Sequence, residues 1–203
     1  MEDITTRWNS FSLSGPESVS IPVSSTRQNN RGTIAAMFLT RRRINIDAVA
    51  RTFRPLWRTE KDFSIRDMGD NKALFMFEDE IDVERVMQHG PWTYDRCLII
   101  CERVENNIPI SEVQFTHSLF WVQLHGLPVL SMNQEVSETI GHTLGTVEHA
   151  PESVEDQGGG PCMRIRVKID ITKPLCRGRK ITLEDNKERW ISFQYERLPN
   201  FCY

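Results

Sequence analysis

The stretch Phe63-Ser-Ile-Arg-Asp-Met-Gly-Asp-Asn-Lys-Ala-Leu-Phe-Met-Phe77 decides how the first half of the chain is read. Phe63 and Ile65 alternate with Ser64 and Arg66. Gly69-Asp70-Asn71 supplies turn chemistry, and Ala73, Phe75 and Phe77 alternate again, so the stretch predicts a β-hairpin with one buried face. Upstream, Ile34 to Leu39 is an apolar run of strand length. Ile46, Val49, Ala50 and Phe53 then recur at helical spacing behind Asn45, a good N-cap. Pro55 cannot donate a helix hydrogen bond, so the helix is expected to end near Arg54 or kink there. Downstream, Asp79 caps a second helix carrying Ile81, Val83, Val86 and Met87, which Gly90-Pro91 closes. Cys97 to Cys101 is a further apolar strand. Strand, helix, strand, strand, helix, strand over residues 33–105 is the order of a ferredoxin-like, RNA-recognition-like domain.

A polar stretch from Glu105 to Glu112 leads into a second unit, residues 106–200. Ser118 to Leu124 reads as a strand. Ser131 and Gln134 form a capping box for a helix with Met132, Val136, Ile140 and Leu144 stacked, and Gly145 stops it. Thr146 to His149 is short and strand-like. Pro151 to Pro161, with Gly158-Gly159-Gly160, reads as a flexible acidic loop. Met163 to Ile171, Lys180 to Leu183 and Arg189 to Tyr195 are strands. The expected fold class is therefore α+β, a ferredoxin-like domain followed by a mixed-sheet βα-type domain. The second half reads as a degenerate copy of the first, although no residue-level repeat is visible. Residues 1–32 form a Ser-rich arm in which Val19, Ile21 and Val23 alternate around Pro22, a pattern compatible with a short edge strand.

With 203 residues, 39% of them hydrophobic and 26% charged, the chain is long enough for one large domain or two small ones. A formal charge of -3 excludes a uniformly basic protein of histone type, though not local basic patches. No run approaches the length of a membrane span, and the start of the chain does not resemble a secretory or transit signal. Cys97, Cys101, Cys162, Cys176 and Cys202 show no C-x-x-C pair, so reduced thiols and a nuclear or cytoplasmic location are expected.

Charge is segregated along the chain. In Met163-Arg-Ile-Arg-Val-Lys-Ile-Asp-Ile171 the apolar residues share one face, while Arg164, Arg166, Lys168 and Asp170 share the other. Lys173, Arg177 and Arg179 extend the basic run. A second run, Arg41, Arg42 and Arg43, precedes the first helix and is continued by Arg51, Arg54 and Arg58. Such faces track a phosphate backbone, but they are also common as solvated sheet edges. The exposed face of the expected central strand, Lys72, Leu74 and Met76, carries no aromatic for base stacking, which counts against ordinary base reading there. Trp57, Trp92, Trp121 and Trp190 sit in or beside apolar elements and read as core or core-rim residues. Nothing carries catalysis: there is no H-E-x-x-H, no G-x-S-x-G, and the triple glycine lacks a following Lys-Ser/Thr.

Several segments together resemble the plant domain-of-unknown-function family 4283. They are Phe38-Leu39-Thr40 with Ile44-Asn45, Gly90-Pro91-Trp92, Phe120-Trp-Val-Gln-Leu-His-Gly-Leu-Pro128, Met163 to Asp170 with Lys173-Pro174-Leu175, and Tyr195-Glu-Arg-Leu-Pro-Asn-Phe-Cys202. The resemblance implies a gag-like protein of LINE-type retrotransposon origin that binds nucleic acid, and a C-x-x-C-x4-H-x4-C zinc knuckle directly after the last segment. Cys202 stands at the knuckle's first ligand position and the other three ligands do not follow. The expectation is thus a truncated knuckle at 201–203, zinc knuckle absent, with no metal and no cofactor. The expected function is non-enzymatic binding of RNA or single-stranded DNA through Arg164, Arg166 and Lys168, supported by Arg41, Arg42, Arg43, Lys173, Arg177 and Arg179. The alternative is a protein–protein or homo-oligomeric scaffold that docks a partner on the Leu74–Met76 face.

Overall fold

The computed structural model describes residues 19–21, 32–104, 108–148, 161–182 and 186–199. The chain is an α+β protein whose described residues form two five-stranded antiparallel sheets and three α-helices. The first half runs β1 (Thr33–Phe38), α1 (Ile46–Trp57), β2 (Phe63–Gly69), β3 (Lys72–Phe77), α2 (Glu80–Gln88), β4 (Trp92–Tyr94) and β5 (Cys97–Arg103). Its sheet order is β2-β3-β1-β5-β4. The hairpin is present, with Phe63 opposite Phe77 and Ile65 opposite Phe75. The short strand β4, paired to β5 through a turn at Asp95 and Arg96, is an addition that the sequence pattern did not announce.

Both helices of this half start where side-chain chemistry dictates. Asn45 Oδ1 accepts from the Ala48 N–H at 3.0 Å, and Asp79 Oδ1 accepts from the Ile81 N–H at 3.0 Å. The expected end of α1 near Arg54 is corrected, because the helix continues through Pro55 to Trp57. Trp57 is buried, with its ring centroid 4.7 Å from Phe53, 4.8 Å from Phe75 and 5.2 Å from Phe63. That packing holds the last turn despite the missing donor. Asp82 also turns out buried, its carboxylate accepting from the Glu60 and Lys61 N–H groups that lead into β2.

The second half runs β6 (His117–His125), α3 (Gln134–His142), β7 (Thr146–Val147), β8 (Met163–Asp170), β9 (Gly178–Thr182) and β10 (Glu188–Tyr195). The N-cap of α3 is Asn133, whose Oδ1 accepts from the Val136 N–H at 2.9 Å, whereas Ser131 belongs to a preceding 3-10 turn. The helix also stops at His142, short of Gly145. Gly145 is instead the point where the chain presses against β8: a Cβ there would lie 2.1 Å from the Lys168 carbonyl oxygen.

The sheet order of this half is β7-β8-β6-β10-β9. Substituting each strand by its counterpart reproduces the order of the first sheet, with β6 central as β1 is. The second half therefore repeats the strand topology of the first, although it has no described helix between β8 and β9 to match α2.

The two sheets are covered differently. In the first, α1 and α2 bury Val49, Phe53, Val83 and Val86 against Ile34, Ala36, Phe75 and Phe77. The opposite face, through Ala35, Leu98 and Ile100, joins the second core with Phe120, Val122, Val167, Ile191, Phe193 and the α3 residue Ile140. The face expected to be exposed is thus corrected: Leu74 packs against this second core, and the Lys72 ammonium lies 5.9 Å from the Phe115 ring centroid. The chain's own second half thus covers Leu74, one of the residues on which the scaffold alternative stood.

Val19 and Ile21 are exposed and lie in no strand. The rest of the Ser-rich arm up to residue 31, the loop 149–160 and Cys202 lie outside the described residues. No described helix is long and apolar enough to cross a membrane.

Candidate nucleic-acid interface

The second sheet buries one face and turns the other, polar one outward. Alternation places Phe120, Val122 and Leu124 of β6, Ile165, Val167 and Ile169 of β8, and Ile191, Phe193 and Tyr195 of β10 inside. The other face carries, row by row across β8, β6 and β10, Arg166 opposite Trp121, then Arg164 opposite Gln123 and Gln194, then His125 opposite Ser192. Beyond the end of β6, Trp190 lies opposite Lys180 of the edge strand β9.

The first row is closed. Arg166 is only 6% exposed, its guanidinium 5.3 Å from the Trp121 ring centroid and its Nη2 3.5 Å from the Met87 carbonyl at the end of α2. Arg164 stacks on the same indole at 4.4 Å and donates two parallel bonds to Glu196, Nε to Oε1 at 2.8 Å and Nη2 to Oε2 at 2.9 Å. Gln123 Nε2 also donates to Glu196 Oε1 at 2.8 Å. Burial acts to raise the Glu196 carboxyl, but bonds from Arg164 and Gln123 and the charges of Arg164 and Arg197 outweigh it, and its pKa is lowered. Arg197 closes the row from the other side, with Nη1 donating to the His89 carbonyl at 2.5 Å and its guanidinium over the Trp92 ring. These groups line a cleft of about 860 Å³ between the two halves, with four carboxylates, among them Glu102, Glu148 and Glu196, balancing four cations.

The solvated basic strand face expected from the sequence is corrected accordingly. Arg166 is buried, Arg164 is held by Glu196, and Lys168 alone of the three is exposed. Lys168 faces Glu102, whose carboxyl is raised by burial and pulled back by the charges of Lys168 and His117. Nearby, burial pushes the Cys101 thiol up to about 12, so it is a poor nucleophile.

The supporting cations do not converge into one patch. Arg41, Arg42 and Arg43 are exposed on the loop between β1 and α1, with Arg43 4.0 Å from Asp67. Lys173 pairs with Asp170 at 2.9 Å, and the Asp170 carboxyl is held below its usual range by hydrogen bonds from Thr172 and Lys173. Arg177 is exposed ahead of β9. Arg179 lies opposite Ile191, on the core side of the sheet, and reaches the Thr143 carbonyl at 3.4 Å. The basic run is therefore divided between two faces.

Sequence reasoning missed Trp190. Expected at the core rim, it is 58% exposed, the only described tryptophan with an exposed side chain, and it rests on Gly178 of the neighbouring strand. The signal was available: Ile191, Phe193 and Tyr195 claim the buried face of β10, so alternation puts Trp190 outside with Ser192 and Gln194.

A two-sheet α+β protein with a polar, partly cationic sheet face is what these residues define. Residues 26–112 match the family model described as "Domain of unknown function (DUF4283)", and residues 169–203 match the one described as "Zinc knuckle". The chain carries a DUF4283 domain followed by a zinc-knuckle segment, an arrangement consistent with retrotransposon-type proteins. It is also similar to the uncharacterized protein At4g02000 of Arabidopsis thaliana, 30% identical over 122 residues, which is 60% of this chain and 38% of that one. The chain thus spans well under half the length of that relative. No solved structure matches significantly.

The expectation that the zinc knuckle is absent is overturned by the match at 169–203, which begins in β8 and takes in β9 and β10. Within that segment the cysteines are Cys176 and Cys202, and there is no histidine. Tetrahedral structural zinc takes four ligands, so these residues fit half a site. Cys176 Sγ donates instead to the Gly178 carbonyl at 3.1 Å, and no described group of three or more His, Cys, Asp or Glu is arranged for a metal.

Proposed function

We propose that the chain binds RNA or single-stranded DNA without catalysing a reaction, as a retrotransposon-derived gag-like protein. The observation that carries this is the open end of the second sheet, where Lys180, Gln194, Ser192 and His125 share a face with an exposed indole. This surface is built largely from the segment that the zinc-knuckle model matches, a class of module that points to nucleic acid. Lys168 lies past the closed row. Cations of this kind position a phosphate backbone without reading sequence.

Titration of the full chain with a labelled single strand of about 12 nucleotides at roughly 50 and 200 mM salt tests the reading. Affinity is expected to fall with salt. Lys180→Gln is expected to reduce the log–log slope by about 0.7. An affinity indifferent to salt, or no binding at all, defeats the proposal. A second reading, protein contact or self-association, draws on Val129 and Leu130, 82% and 95% exposed in the turn before α3. A concentration-dependent mass in light scattering that Leu130→Ser abolishes would favour it.

A further inference from the structure

Trp190 has an environment unlike that of the other described tryptophans. Trp57 is buried among rings, Trp92 donates its Nε1 hydrogen to the Val86 carbonyl at 2.8 Å, and Trp121 is enclosed by Arg164 and Arg166. Trp190 instead packs closely beside Gly178. A Cβ at that glycine would stand 2.5 Å from the Ile191 carbonyl oxygen, 2.5 Å from indole Cζ2 and 2.6 Å from Cε2, so glycine is what lets the ring and the β10 backbone come this close to β9. That close contact restricts the side chain, while more than half of the residue's surface stays exposed.

An exposed tryptophan costs apolar surface that folding alone would hide, and its described neighbours on this sheet face are polar. Across the strand pair stands Lys180; along β10 stand Glu188 on one side and Ser192 on the other. Lys180 and Glu188 are 3.1 Å apart, both largely exposed, so solvent and a polyanion compete readily for that lysine. Residues 177–190 hold five basic side chains against three acidic ones. An isolated ring within a polar, cation-bearing surface does not fit an apolar protein partner, which would need a contiguous patch. It does fit a planar heterocycle attached to a phosphate.

We infer that Trp190, packed beside Gly178, is a stacking platform for one unpaired nucleobase, with Lys180 taking an adjoining phosphate. This deepens the nucleic-acid reading and rests on it. The platform restricts that reading to unpaired bases, because a base inside a duplex has both faces already stacked. It is also indifferent to sequence, since every base offers a π-face.

The test compares the full chain with Trp190→Ala and Trp190→Phe, using fluorescence anisotropy of a labelled oligo-U or oligo-dT, the same backbone carrying abasic sites, and a duplex of equal length. The indole is largely exposed, so all three proteins are expected to give the same far-ultraviolet circular dichroism. Trp190→Ala is expected to weaken single-strand binding about tenfold, the usual scale for one base–aromatic stack, with the salt slope unchanged. Trp190→Phe should recover most of that loss. Abasic and duplex ligands should not distinguish the three proteins. Single-strand affinity unchanged by Trp190→Ala, or an equal loss on the abasic backbone, overturns the platform while leaving the nucleic-acid reading in place. A parent protein that binds no nucleic acid defeats both. A fall in oligomeric mass on Trp190→Ala would make the indole a self-contact and also overturn the platform.

Discussion

The two halves of this chain share one strand order and differ in which face of the sheet is left open. In the first sheet, helices α1 and α2 cover one side, and the second half of the chain covers the other through Ala35, Leu98 and Ile100. In the second, α3 and the first sheet's far side lie together on one face, and part of the opposite face meets solvent. No described helix matches α2 in the second half, and the apolar strands of the first sheet contribute to the core there. The same topology therefore presents different surfaces. The face that an RNA-recognition-type sheet would offer is buried in the copy whose sequence resembles that fold, and its counterpart is open in the copy whose sequence does not.

The most damaging way to challenge this comparison is to put a charge between the sheets. Ile100 is fully buried and belongs to the second core. Ile100→Asp is expected to destabilise by about 4 kcal/mol or more, because it strands a carboxylate in an apolar core. Were the first sheet's far face a free platform, the variant would unfold at nearly the parental denaturant concentration. A urea melt decides between these outcomes.

The two faces of β10 give the next largest contrast. Phe193→Ala, on the buried face, is expected to cost about 3–5 kcal/mol. Trp190→Ala, three positions away and a larger truncation, is expected to move stability by about 0.5 kcal/mol or less. Comparable losses in the two melts would mean that the indole is packed in solution and that the open face is not open.

Local chemistry made much of this fold legible. The hairpin at 63–77, the caps Asn45 and Asp79, and the alternation of β8 each follow from residues within a few positions of one another. The extension of α1 through Pro55 was not legible, because it depends on Phe63, Phe75 and Phe77 assembling around Trp57. The site was misread for a related reason. Alternation says which face a side chain takes, but not what lies over that face. Arg164 and Arg166 were correctly placed opposite the core residues of β8, yet Glu196, Trp121 and the end of α2, all distant in sequence, meet them there. Trp190 was readable from alternation alone. Its exposure was missed because a tryptophan beside an apolar strand was read by composition and not by parity.

A smaller effect tests whether the closed row is held by charge. Arg164 and Glu196 are paired bidentately and each is mostly sheltered, with side-chain exposures of 27% and 24%. Glu196→Gln keeps the shape and removes the charge, and is expected to cost about 1–3 kcal/mol at neutral pH. The sign of its pH dependence follows from the lowered folded pKa of Glu196. A depressed carboxyl contributes its full stabilisation above the unfolded value near 4.3 and loses it as pH falls through the folded value. The parent and Glu196→Gln should therefore differ by a constant amount above about pH 5 and converge in acid. A gap that persists unchanged in acid would trace the row's stability to shape alone.

The smallest effect concerns Glu102, where the sign reverses. Burial is the main cause of its raised pKa, and Lys168 and His117 only partly offset it. A carboxyl whose folded pKa exceeds its unfolded value favours the folded state below the unfolded value and opposes it as pH rises through the folded one. At neutral pH the charged Glu102 is thus a small burden on the fold. Glu102→Gln should raise stability there, by about 0.5 kcal/mol or less, and the gain should vanish in acid. Lys168→Gln should deepen the burden, because it removes the nearest compensating cation. If Lys168 instead faces only solvent, as a basic strand face read from sequence alone would have it, Lys168→Gln will leave the pH profile of stability where it was. Lys168 would then serve a phosphate backbone alone, with a share of the salt slope to itself.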